Sequence, residues 1–174
     1  MKKQIEAFDW AGHNCKAMKK GILLTSRCGE KVNTMTIGWG KLGIEWGRPI
    51  FIAYVRESRF TRQMLDENGE FTINVPYGEL DSRILGYCGT KSCRDTDKIA
   101  DLGLTLEAPG NISVPGIKEL PLTLECKVIY KQKQDLTAVP ADLLERYYPA
   151  DETGFRDYHY AYYGEIVNAY LIED

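Results

Sequence analysis

Three arginines and two hydroxyls fall within the seven residues Arg56-Glu57-Ser58-Arg59-Phe60-Thr61-Arg62, directly after an apolar, β-rich run at residues 49–55. Arginine forks match the oxygens of a phosphate, and the first turn of a helix offers unpaired N–H groups at its positive dipole end. Ser58 is a good N-cap type, Phe60 and Met64 would share a helical face, and Gly69 is a stop signal. The chemistry of such a start is anion binding. The same residues also suit an ordinary capped helix with a solvated basic face, and on their own they leave both readings open.

Two other stretches suit the same kind of ligand. Along Asn33-Thr34-Met35-Thr36-Ile37-Gly38-Trp39-Gly40 the side chains shrink toward glycine, which lets a ligand approach the backbone, while threonines add donors with little bulk. Residues 88–98, Cys-Gly-Thr-Lys-Ser-Cys-Arg-Asp-Thr-Asp-Lys, form a polar, cation-rich connection of the kind that carries binding function on a rigid scaffold. A flat heteroaromatic with a phosphate tail would use all three, with strand groups at the ring edge and the helix start at the phosphate. Singly, each has a plainer reading: threonines as β-formers, 88–98 as a solvated loop. Their coincidence favours binding.

The elements that must position these groups are mostly strands. A hairpin is expected from residues 21–26 and 32–37 around a loop at 27–31, with further strands at 70–75, 122–130 and 164–172. Residues 122–130 alternate strictly, with Leu122, Leu124, Cys126, Val128 and Tyr130 on one face and Thr123, Glu125 and Lys127 on the other, which predicts a half-buried strand. Short helices are expected at 79–87 (from Glu79 or Leu80), at 97–103 ahead of a glycine stop, and at 139–147 behind Pro140. Many strands with only short helices predict a closed or nearly closed antiparallel barrel, not a doubly wound sheet.

Composition bounds the rest. The 174 residues fit one domain, 44% hydrophobic and 27% charged. With 22 basic and 25 acidic residues the net charge is -3, so nothing draws nucleic acid to the molecule as a whole. No secretory signal or membrane-spanning segment is expected, and the cytoplasm is the expected location. Five cysteines, an odd number with no C-x-x-C unit, argue against a disulfide scaffold and a structural zinc site. His13, two residues from Cys15, is poor metal spacing, so no metal is expected.

In order and spacing, these segments resemble the flavin-reductase-like family of FMN-binding split barrels over roughly residues 18–172. The motifs that carry the likeness are Asn33-Thr34-Met35-Thr36, Arg56-Glu57-Ser58-Arg59-Phe60-Thr61, Phe71-Thr72-Ile73-Asn74-Val75-Pro76, Cys88-Gly89-Thr90-Lys91-Ser92 with Asp97-Lys98, and Tyr163-Gly164-Glu165-Ile166-Val167. The resemblance implies a six-stranded antiparallel barrel with short helices, paired as a homodimer, with one FMN per subunit near the interface. It implies that Asn33, Thr34, Met35, Thr36 and Trp39 line the isoalloxazine, that Arg56, Ser58 and Thr61 hold the phosphate, and that Lys91, Ser92 and Lys98 complete the phosphate and ribityl side. Cys93 stands where the pattern often has glycine.

The activity implied is hydride transfer from the C4 of NADH or NADPH to flavin N5, with a redox protein or a flavin-dependent monooxygenase as downstream partner. The alternatives are a flavoredoxin-like electron carrier without direct NAD(P)H activity and a flavin-binding module without turnover. No G-x-G-x-x-G fingerprint is present, so a nicotinamide would bind transiently on the flavin face. His159 is a candidate for nicotinamide contact, its plainer reading being a loop histidine in an aromatic cluster. That cluster, Tyr147, Tyr148, Tyr158, Tyr160, Tyr162 and Tyr163, suits a dimer surface or a cofactor roof. A reversible Cys88–Cys93 disulfide is the less favoured reading of those two thiols.

Overall fold

The computed structural model describes residues 1–173. In chain order the elements are β1 (Lys2–Gln4), α1 (Ala11–Met18), β2 (Ile22–Cys28), β3 (Lys31–Ile37), β4 (Gly40–Glu45), β5 (Arg48–Arg56), α2 (Phe60–Asn68), β6 (Glu70–Val75), α3 (Ser82–Thr90), α4 (Lys98–Leu102), β7 (Leu106–Glu107), β8 (Gly116–Ile117), β9 (Leu122–Lys133), α5 (Ala141–Tyr147) and β10 (His159–Ile172). The main sheet is antiparallel, in the order β3-β2-β6-β9-β10-β5-β4, with β1 added beside the far end of β10. The antiparallel barrel expected from the sequence is therefore present. Its sheet holds eight strands, because β1 and the edge strand β4 join those the sequence pattern marks.

The sheet curls around one apolar interior. Phe51, Ala53 and Val55 of β5, Phe71, Ile73 and Val75 of β6, and Leu122, Leu124 and Cys126 of β9 meet there, with Leu65 of α2 and Met18 of α1 packed into the same cluster. β10 is the spine: its first half pairs with β5 on one side and β9 on the other. A register shift at Tyr163/Gly164 bends it. At that bend Phe71 sits against Gly164, where an added Cβ would lie 2.4 Å from Cζ of Phe71 and 2.8 Å from Cβ of Cys126.

A second layer covers the outer face of β2, β6 and β9. Leu23, Ile84, Cys88, Leu104, Ile117 and Leu120 form a second cluster beneath α3, α4 and the 104–120 segment. This corrects the half-buried reading of 122–130, since Thr123 and Glu125 on its polar face are fully buried. Glu125 tolerates this because its carboxylate accepts the backbone N–H groups of Gly110 (2.6 Å) and Asn111 (2.7 Å). Across the same covered face runs a ribbon of buried hydroxyls and amides. Thr25 donates to Thr34 at 3.0 Å, and Asn74 donates to Thr25 and Thr72 at 2.9 and 3.1 Å.

Local signals account for several boundaries. Gly29 (φ 55°) closes the β2–β3 hairpin and Gly69 (φ 68°) ends α2. Asp97 caps α4 through the N–H groups of Ile99 and Ala100, both at 3.1 Å. α3 starts at Ser82 behind an Asp81 cap and runs to Thr90, three residues beyond the expected 87. α2 starts at Phe60 with Arg59 at the N-cap, one residue later than a Ser58 cap would place it. Among the described residues, no helix is long and apolar enough to cross a membrane.

The Phe71–Gly164 packing predicts a steep local penalty. Gly164→Ala should lower stability by about 2 kcal/mol or more, as overpacking of a fixed core does. Gly43→Ala, where nothing lies within 4 Å of the added Cβ, should change it little. Paired urea melts of the two variants check the difference.

Candidate functional site

β3 and β4 are the two ends of the strand path, and β3 forms no ladder with β5 although the curled sheet sets them side by side. Along that gap lie two adjoining hollows that share Met35 and Arg59. They are the site the three sequence segments build.

The first hollow, about 110 Å³, is walled by the start of α2, the end of α3 and the 91–98 loop. Four cations line it: Arg59, Lys91, Arg94 and Lys98. Lys98 is buried, and its ammonium donates to the carbonyls of Thr34 (2.6 Å) and Cys88 (3.4 Å) and to no carboxylate. Burial pulls its pKa below the usual lysine range and neighbouring Arg59 adds to this, while the Cys88 and Cys93 thiols pull the other way. Arg94 donates to the Ser58 carbonyl at 3.1 Å and lies over the Phe60 ring. Asn33 donates to the Thr61 hydroxyl at 2.8 Å, which leaves the Thr61 proton free for another acceptor, and Oδ1 of Asn33 is buried without a partner. The Cys88 thiol is pushed up to about 11 by burial, and Cys93 is raised for the same reason. Both are free and protonated at neutral pH.

The second hollow, about 160 Å³, is lined by Met35, Thr36, Ile37, Gly38 and Trp39 on one side and Tyr54, Arg56 and His159 on the other. Trp39 is 40% exposed and stands among Tyr147, Tyr148 and His159, with ring centroids 5.2, 6.4 and 5.0 Å away. Arg56 donates to the carbonyls of Asp157 (2.6 Å) and Tyr147 (2.9 Å). His159 is the first residue of β10, not a loop residue before it, and is buried. Burial first, then the nearby Arg56 guanidinium, lowers its pKa to about 4, against a smaller opposite pull from Asp157.

The sequence-selected residues thus divide in two. Asn33, Met35, Ser58, Thr61, Lys91, Ser92 and Lys98 line the cationic hollow, and Met35, Thr36, Trp39, Arg56 and His159 line the aromatic one. Thr34 lines neither: its hydroxyl lies in the buried ribbon, donating to the Leu24 carbonyl at 3.3 Å, and only its own carbonyl reaches Lys98. Arg56 stands apart from Ser58 and Thr61, on the aromatic side. The anion at Ser58 belongs to the protein itself. Asp157 accepts the Ser58 N–H at 3.0 Å and its hydroxyl at 2.7 Å, which draws Ser58 away from capping α2. Arg59 and Arg94 belong to the site and were visible only as members of basic clusters. Asp157 had no local signal, since its partner lies 99 residues away, and Tyr148 was visible only as a member of the tyrosine cluster, with nothing to mark its contact with His159.

Residues 18–174 match the model of the flavin reductase like domain. The chain belongs to that family. A relative, an uncharacterized protein of Archaeoglobus fulgidus, is 34% identical over 100 residues, covering 58% of this chain, which spans 55% of that relative's length. The flavoredoxin of Methanosarcina acetivorans is similar in structure, with a TM-score of 0.64, 27% identity, and coverage of 88% of this chain and 68% of that one. An FMN-binding domain of a flavin reductases-like enzyme from Shewanella baltica shares the fold at a TM-score of 0.65 and 17% identity, covering 98% of this chain and 77% of that one.

The depressed His159 pKa sets a pH dependence. The unfolded ring titrates near 6.5 and the folded ring near 4, so in that window the unfolded chain takes up a proton that the folded chain refuses. Stability present above the unfolded value is therefore lost as pH falls toward 4, by at most about 3 kcal/mol from this residue. Denaturant midpoints of the wild type and His159→Gln, compared from pH 7 to 4, should converge on the acid side.

Proposed function

We propose that this protein binds FMN across the two hollows, phosphate in the cationic one and isoalloxazine in the aromatic one, and accepts hydride from a nicotinamide. The observation that carries this reading is the buried Lys98 ammonium at the wall of a small hollow with three further cations, hydrogen-bonded to carbonyls alone. An ammonium so placed favours a multiply charged oxyanion beside it. The Thr61 proton, freed by the Asn33 amide, and the Ser92 hydroxyl add neutral donors on the same wall. Membership of the flavin reductase like family and likeness to an FMN-binding domain support the choice of ligand.

Bound there, flavin supplies the two-electron acceptor chemistry. The chain's own contribution is placement. β3 would present its backbone and Met35 to the ring edge, and Trp39 with Tyr147 and Tyr148 would form a roof that limits water. Arg56 ties that roof to β5 through the Tyr147 and Asp157 carbonyls, and is assigned here to the roof, not to the phosphate. His159, neutral at physiological pH, would meet the reductant as a hydrogen-bond partner and not as an acid. The electron acceptor would be a redox protein or a flavin-dependent oxygenase.

Likeness to a flavoredoxin favours a second reading, an electron carrier supplied by a protein donor. Anaerobic stopped-flow mixing of the FMN-loaded protein with NADH and with NADPH separates the two. Bleaching of the flavin band on the time scale of turnover supports the reductase, and no bleaching with either donor leaves the carrier. Lys98→Met should weaken FMN about 10- to 100-fold, the range for one charge-assisted contact, while riboflavin, lacking the phosphate, should lose little. Equal losses for both ligands would place the phosphate elsewhere.

We further propose that two copies pair through the patch around Trp46. Trp46 is 59% exposed, packs on Tyr130 and Tyr163, and lies beside Ile44 at 72% exposure. It also holds φ 52° in a two-residue turn with Gly47, a position that suits asparagine and costs tryptophan about 1–2 kcal/mol. Trp46→Asn should therefore fold at least as well as the parent yet dissociate at about tenfold higher concentration in sedimentation velocity. An unchanged dimer would place the interface elsewhere.

A further inference from the structure

The site contains a buried tyrosine–histidine hydrogen bond that the flavin reading does not require. Oε1 of Gln134 accepts the His159 backbone N–H at 3.4 Å. Burial raises the Tyr148 pKa, so the phenol keeps its proton at neutral pH, while the Gln134 side chain and the Arg56 charge pull the other way. Among the described residues, Nδ1 of His159 at 2.9 Å is the one hydrogen-bond partner of the buried Tyr148 hydroxyl, so the phenol proton goes there. The pair is buried, with Tyr148 3% and His159 6% exposed. Nδ1 then carries the lone pair, and the ring proton resides on Nε2. Among the described residues Nε2 has no hydrogen-bond partner, on a residue that lines the aromatic hollow.

The surroundings hold the ring neutral as well as oriented. Arg56 from β5 and Arg59 from the start of α2 oppose a second proton, and Asp157, which precedes β10, is the one carboxylate acting on it. Trp39 at 5.0 Å and Tyr54 at 6.4 Å complete the shell with uncharged rings. The Arg56 guanidinium also lies over the Tyr148 ring, 5.3 Å from its centroid, and fixes the phenol that fixes the histidine.

We infer that Tyr148 is the positioning residue of the site: it holds His159 as the Nε2–H tautomer, with that N–H presented to the aromatic hollow as a donor to the carboxamide carbonyl of the incoming nicotinamide. This rests on the reductase reading for its ligand, and on the Tyr148–His159 geometry for its mechanism. His159 moves no proton in the reaction, and its contribution is to KM for the reductant.

The chain has two histidines, so long-range 1H–15N correlation spectra of the FMN-loaded protein resolve His159, with a His13→Gln sample for assignment. Expected is a pure Nε2–H pattern, unchanged from pH 8 to 5.5, giving way in Tyr148→Phe to a mixture of both tautomers. In the same variant, which keeps the ring in the roof and removes only the hydroxyl, KM for the nicotinamide should rise about 3- to 10-fold, a larger change than that in kcat. An Nδ1–H ring or an imidazolium at pH 7, or an unmixed Nε2–H pattern that survives Tyr148→Phe, overturns the positioning role. A tautomer shift with unchanged KM overturns the carboxamide as recipient. Absence of reduction by both nicotinamides sinks the reductase reading together with that recipient, a failure the spectra distinguish from loss of the tautomer.

Discussion

The ring of Phe71 fills the space where a residue other than glycine at 164 would carry its Cβ. This close approach lies at the register shift of β10, where one long strand bends while still pairing with β5 and β9. The bend curls the sheet, and the curl sets β3 beside β5 without a ladder between them. The cleft exists because those two strands lie close and do not pair. A backbone edge with unused polar groups, walled by the apolar interior on one side, is a favourable place for a flat ligand with polar edges.

The two ends of the cleft differ electrostatically for reasons that begin in the second layer. α3, α4 and the 91–98 loop cover the outer face of β2 and β3, and in doing so they carry Lys98 into a buried position. There its partners are main-chain carbonyls, which solvate the ammonium but leave its charge uncompensated. At the other end, the same low-polarity surroundings neutralise a histidine. Burial disfavours a charge in both cases. The lysine starts from an intrinsic affinity for a proton about four pKa units above that of histidine.

Asp157 joins the two ends mechanically. Its carboxylate takes the Ser58 amide and hydroxyl, its carbonyl takes Arg56, and the next carbonyl, of Tyr158, takes the Glu57 N–H. The aromatic roof carried by α5 and the 148–158 segment is thereby fastened to the strand end that leads into α2. Any displacement of that roof must break a charge-assisted clasp.

Much of this was legible in the chain. The short helix that is α4 with its Gly103 stop, the 27–31 hairpin loop and the β6 run are local signals, read from neighbours in sequence, and the structure keeps them. The barrel class and the three segments that line the two hollows also followed from residue types and their order. Tertiary structure alone decided which face of β3 meets the cleft: alternation separates Thr34 from Met35, but only the cover laid over Thr34 shows that its hydroxyl is internal. It likewise decided that Glu125 is buried, that Ser58 serves Asp157, and that Tyr148 meets His159. Periodicity states that two faces differ, not what lies against each. A hydrogen bond between residues a hundred positions apart leaves no trace in either one's local sequence.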